Sequence, residues 1–198
     1  MQRKHFLVSL AATVVYACAA ETETLNSDRI EQRFGNYGVE IIEQSPVLRR
    51  SNLYSENGAE RICRTYAIVS FLEVESPRIA VPHQRVLNGG SIGATFRDAG
   101  WQIHKETAYI GTLSATDLQQ SVVELMRVKE PAVVAVHVYR LTLISGQDSI
   151  HYATILEAHH PDYLSEDELL EVFSVDEEPS RAKANVAPLR DLILKPDE

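Results

Sequence analysis

The sequence predicts an α+β domain: an antiparallel β-sheet with helices packed on one face. Two hairpins and the placement of the helices carry that prediction. Asn57-Gly58 lies between two strand-like runs, residues 47–54 and 61–71, and Asn-Gly supplies the positive φ angles of a tight hairpin turn. Ser145-Gly146-Gln147-Asp148 separates the Val-rich run 132–144 from the alternating run 150–158. The helical patterns gather before and between these hairpins. That leaves few crossovers of the kind a parallel sheet requires.

In chain order, residues 27–34 read as a short helix with Ile30 and Phe34 on one face and Gly35 as its stop. Residues 39–43 alternate weakly as a strand, and the first hairpin follows. Residues 82–100 are helical in pattern but broken at Gly89-Gly90, with Ser91 placed to cap a second helix that stops at Gly100. Residues 102–111 read as a strand. Ser114 or Thr116 then caps a helix to Val128, whose stripe of Leu118, Val122, Leu125 and Met126 is core packing. The second hairpin leads to Ser165-x-x-Glu168, a capping box for a helix to Phe173. The last stretch, 176–198, reads as a surface tail with Leu189, Leu192, Ile193 and Leu194 available to dock.

The chain has 198 residues, so a single domain over 21–175 is the reading. With 28 Asp+Glu against 19 Lys+Arg it is acidic, which argues against a nucleic-acid partner. Residues 1–20 carry Arg3 and Lys4, then an apolar stretch ending in small residues: the layout of a cleaved signal peptide, hence an exported, periplasmic protein. Val15-Tyr16-Ala17-Cys18 is a partial lipobox, and lipidation of Cys18 is the one route to a membrane. With Cys63 the only other cysteine, neither a disulfide scaffold nor a Cys-rich zinc module is available.

No phosphate loop, nucleophile elbow or calcium loop is present. His151 lies about 20 Å along a strand from Glu157, too far to share an ion. Glu157 and His159, with His137 from the neighbouring strand, form the least implausible ligand set. Surface or strand-end histidines are the preferred reading, so no metal and no cofactor are expected. Arg49, Arg50, Arg61 and Arg64 occupy paired strands, where alternation turns some of them inward, and a buried guanidinium calls for a carboxylate. On pattern alone, solvent-facing arginines are the default.

Leu48-Arg49-Arg50, the Asn57-Gly58 turn and Arg64-Thr65 resemble the opening of the chorismate lyase domain. Gly89-Gly90-Ser91-Ile92-Gly93-Ala94-Thr95-Phe96 resembles that family's helix corner, and Leu156-Glu157-x-x-x-Pro161 its closing Glu-x-x-x-Pro. The resemblance spans 47–163 and extends to the related UTRA effector-binding fold. It implies a ligand enclosed between sheet and helices, and a lyase that eliminates pyruvate from an enolpyruvyl ether such as chorismate. Glu157 and Arg50 take the catalytic positions, with Arg49 the alternative to Arg50. Arg49, Arg64, Ile92, Gly93 and Phe96 take the substrate-binding positions. The alternatives are a non-catalytic binder of a small carboxylate in the same pocket, and a structural or interaction module without a pocket.

Overall fold

A computed structural model describes residues 24–175 and 186–196. The signal peptide and lipobox read in residues 1–20 lie outside them. The chain begins with α1 (Asn26–Phe34), closed by Gly35 at φ 80°, whose N–H reaches Glu31 O at 2.7 Å. It continues as β1 (Gly38–Gln44), β2 (Leu48–Asn57) and β3 (Glu60–Phe71), a meander whose second turn uses Gly58 at φ 63°. Two short helices, α2 (Ala80–Leu87) and α3 (Ile92–Asp98), lead into a second meander of β4 (Gln102–Ser114), β5 (Val133–Ser145) and β6 (Asp148–His159). Between β4 and β5 lies α4 (Gln120–Met126), and α5 (Glu166–Val172) follows β6 behind the complete Ser165/Glu168 capping box.

The six strands form one antiparallel sheet in the order β1-β2-β3-β6-β5-β4. Each half contributes three strands, the first led by α1 and the second by α2 and α3, with α4 inserted between β4 and β5. The halves join where β3 runs against β6, from Thr65 opposite His159 to Phe71 opposite Ala153. The α+β class read from the two hairpins is the class observed.

Helices on a single face is an expectation to correct. Ile79, Val86 and Phe96 of the α2–α3 region pack on Val69, Tyr139, Leu141 and Ile155, whereas Leu118, Val122 and Met126 around α4 pack on Ile68, Val136, Val138 and Leu156. Strand alternation sends these two sets to opposite faces. Both rows are apolar because both are covered. Residues 186–194 also belong to the second core, where Leu189 and Ile193 are buried and Leu194 bridges Leu118, so this part of the expected tail is structural.

The start of α4 differs too. β4 runs on to Ser114, whose hydroxyl bonds Thr116 instead of capping a helix. The helix begins at Gln120, after Gln119 N–H binds Ile193 O at 2.9 Å. A contact 74 positions away in sequence sets that boundary, which no local pattern shows. Among the described residues, no helix is long and apolar enough to cross a membrane.

Candidate functional site

The face of the sheet under α1 and α3 holds a cavity of about 70 Å³. Its walls are largely apolar (Leu25, Val69, Leu141 and Ile155 among them), and three charged side chains enter it: Arg49, Lys105 and Glu157. All three are under 9% exposed. Register explains the convergence. Arg49 faces Val69 across β2–β3, and Val69 faces Ile155 across β3–β6. Glu157 is the next inward position along β6, two strands and about 10 Å laterally from Arg49. Lys105 pairs with Leu141, on the same face.

Arg49 is held by the helix corner. Its Nη1 donates to Val86 O at 3.2 Å and Gly90 O at 2.8 Å, carbonyls at the negative end of α2. Its buried Nε has no hydrogen-bond partner among the described residues. Burial lowers the guanidinium pKa, while Tyr37 and Tyr152, rather than a carboxylate, are the neighbours that act to raise it. Tyr37, which hydrogen-bonds Ser91 and is pushed up by burial, brings a phenol to the same wall. Ser91, at the N-cap position of α3, makes no capping bond and lines the cavity.

Glu157 sits in a buried polar network. Asn26 Nδ2 donates to Glu157 Oε1 at 3.1 Å and to Thr65 Oγ1 at 3.2 Å, while Tyr163 OH donates to Asn26 Oδ1 at 2.6 Å. Thr65 Oγ1 accepts from Asn26, so its single proton is available to His159 Nδ1, 3.0 Å away. His159 Nε2, which has no hydrogen-bond partner among the described residues, lies 3.9 Å from Glu157 Oε2. On the next strand His137 Nε2 meets Thr107 Oγ1 at 3.0 Å.

The histidines therefore correct the sequence expectation. His137 and His159 are core residues, 0% and 1% exposed, not surface ones, although His159 does close β6 as a strand end. Burial lowers their pKa values to about 2 and about 4. Both bind protons less readily when folded than when unfolded. Their contribution to stability is thus complete above the unfolded value near 6.5 and is lost as pH falls below it. For His159 the loss runs down to about 4, and for His137 to about 2. Urea unfolding between pH 7 and pH 5 should show stability falling by roughly 1 kcal/mol per pH unit for each imidazole. His159→Gln should make that dependence shallower; an unchanged slope would mean that His159 titrates in contact with solvent. Among the described residues, no group of three His, Cys, Asp or Glu side chains is placed to hold a metal ion.

Of the residues singled out from sequence, Arg49, Glu157, Ile92 and Gly93 line the cavity. Arg50 does not. The alternation that turns Arg49 in sends Arg50 to the opposite face, where Nε lies 3.2 Å from Glu43. Arg64 donates from Nε to Ser55 Oγ at 2.9 Å and stacks 3.6 Å over the Phe34 ring, beside a bulge in the β2–β3 register. Phe96 is buried one layer behind, against Tyr152 with ring centroids 4.6 Å apart. Lys105, Asn26 and Tyr37 were missed. Lys105 carried a usable signal, since a lysine stood between Ile103 and Thr107 at same-face spacing in a strand.

The sequence matches no protein-family model and no curated protein.

Proposed function

We propose that the cavity binds a small carboxylate, with Arg49 and Lys105 as its cationic side and Glu157 as its opposite pole. The observation that carries this reading is the unpartnered Nε of Arg49. A guanidinium buried in an apolar wall with carbonyl partners but no carboxylate leaves charge and a donor uncompensated. A ligand carboxylate in the cavity that Arg49 lines would compensate that charge. The volume, roughly half of the ~150 Å³ that takes a benzene, selects a ligand head of a few heavy atoms. With the leading segment read as an export signal, this binding takes place outside the cytoplasm.

One observation favours a second reading as a lyase of the chorismate type: Glu157 opens on the same cavity as Arg49, as the resemblance to that family implies. Two measurements decide. Calorimetric titration with acetate and with pyruvate should show saturable binding; its absence would overturn the binding reading. Incubation with chorismate should leave it unconverted under the binding reading. Release of pyruvate that is lost in Glu157→Gln would replace that reading with the lyase.

A further inference from the structure

Beside the cavity lies a second space of about 240 Å³, a groove about as open as the cavity, with Trp101 and Ile103 as its apolar wall and Thr24, Gln32 and the Asp28–Arg97 ion pair at 2.7 Å as its polar one. Leu25 lines both spaces. Three elements give residues to both spaces. On β4, Lys105 faces the cavity and Ile103 the groove, two residues and about 7 Å apart on one face. On α3 the pair is Gly93 and Arg97, one helical turn apart. On the first turn of α1 it is Ser27 and Asp28. The groove thus neighbours the cavity along β4, with Leu25 the residue that lines both.

Leu25 also occupies its place against local preference. It stands at the N-cap of α1, where Ser, Thr, Asp or Asn would satisfy a free N–H, and it makes no capping bond. Space is cleared for it: a Cβ on Gly93 would lie 2.8 Å from Leu25 Cδ1. A poor capping residue, 5% exposed and seated against a glycine, is there to fill the boundary.

We infer that Leu25 is the partition that sets ligand length: the carboxylate head lies at Arg49 and Lys105, and a longer apolar body reaches the Trp101 groove only when Leu25 is displaced or reduced. This rests on the carboxylate-binding reading above. Cavity and groove together come to about 300 Å³, where small-molecule pockets begin. The ligand class is then an unbranched monocarboxylate, short in the closed arrangement and extended in the open one.

The test is a series of acetate, butanoate, hexanoate and octanoate, titrated calorimetrically into the full chain and into Leu25→Ala and Leu25→Phe. Emission of Trp101, the single tryptophan, is followed in parallel. Wild type should lose about tenfold in affinity from butanoate to hexanoate. Leu25→Ala should instead gain roughly fourfold per added methylene, and hexanoate but not acetate should shift its Trp101 emission. Leu25→Phe should reject butanoate as well. Identical length profiles in wild type and Leu25→Ala, or no response of Trp101 to any acid, would overturn the partition while leaving acetate binding intact. Failure of acetate to bind wild type would remove the carboxylate reading and this inference together. If Leu25→Ala does not fold, Leu25→Val should move the length limit part of the way, and an unmoved limit counts against the partition.

Discussion

Arg49→Met should abolish acetate binding, weakening it at least a hundredfold, and should also destabilise the fold by about 2–3 kcal/mol. The binding loss follows from removing a charge-assisted donor in a site sheltered from water, where such bonds contribute about 1.5–3 kcal/mol each. The stability loss has a separate origin. Methionine keeps most of the apolar length but leaves Val86 O and Gly90 O, both now gripped by Nη1, without that donor. Val86 O keeps the Gly89 N–H at 3.0 Å, so Gly90 O is the carbonyl left short, at a cost of about 1–3 kcal/mol that is partly offset because a buried cation disappears with it. Calorimetry measures the first effect and urea unfolding the second. A variant that binds acetate normally would show that the guanidinium serves only to tie α2 to the sheet.

Asn26→Ala should cost about 2–4 kcal/mol, the larger effect on stability alone. One amide bonds three buried groups, Glu157 Oε1, Thr65 Oγ1 and the Tyr163 hydroxyl, and alanine takes a partner from each, leaving Thr65 its bond to His159. Tyr163→Phe removes one bond and should cost about 1 kcal/mol. In the double variant the two costs should add to clearly less than their sum, because the Tyr163 bond is already absent once Asn26 is gone. Strict additivity in urea unfolding would mean that the network does not act as a unit.

The fold class was legible because its signals are local. The Ser145–Asp148 turn and the Ser165/Glu168 box each specify a turn or cap from neighbouring residues and lie where they were read, whereas the first hairpin turns one residue later, at Gly58-Ala59, with Asn57 still paired to Glu60 and Gly58 alone at positive φ. The second covered face was not, since the apolar row of Ile68, Val136 and Leu156 needs its partner helix placed before its burial means anything. The site shows the same division. Glu157 and an arginine of the first hairpin were within reach of pattern, but Arg49 and Arg50 differ by one residue, and a one-residue choice of register decides the face. Asn26 sits at a helix start 131 positions from Glu157; no spacing rule connects them. The histidine burial was missed for a related reason: His137 and His159 look polar in sequence, and only Thr107 and Thr65 from other strands make their burial tolerable.

The seam between β3 and β6 has one more consequence. Arg49 belongs to the first meander, and Lys105 and Glu157 belong to the second. The first half brings a cation alone and the second brings Lys105 and the carboxylate of Glu157, so Arg49 and Glu157 meet only across the join, whose strands are some ninety residues apart along the chain. Contacts so distant in sequence form slowly, because the intervening loop must close before they are rewarded. Ligand recognition is therefore a property acquired at the last stage of assembly, and an ion held across the join would act as a clasp on the two halves.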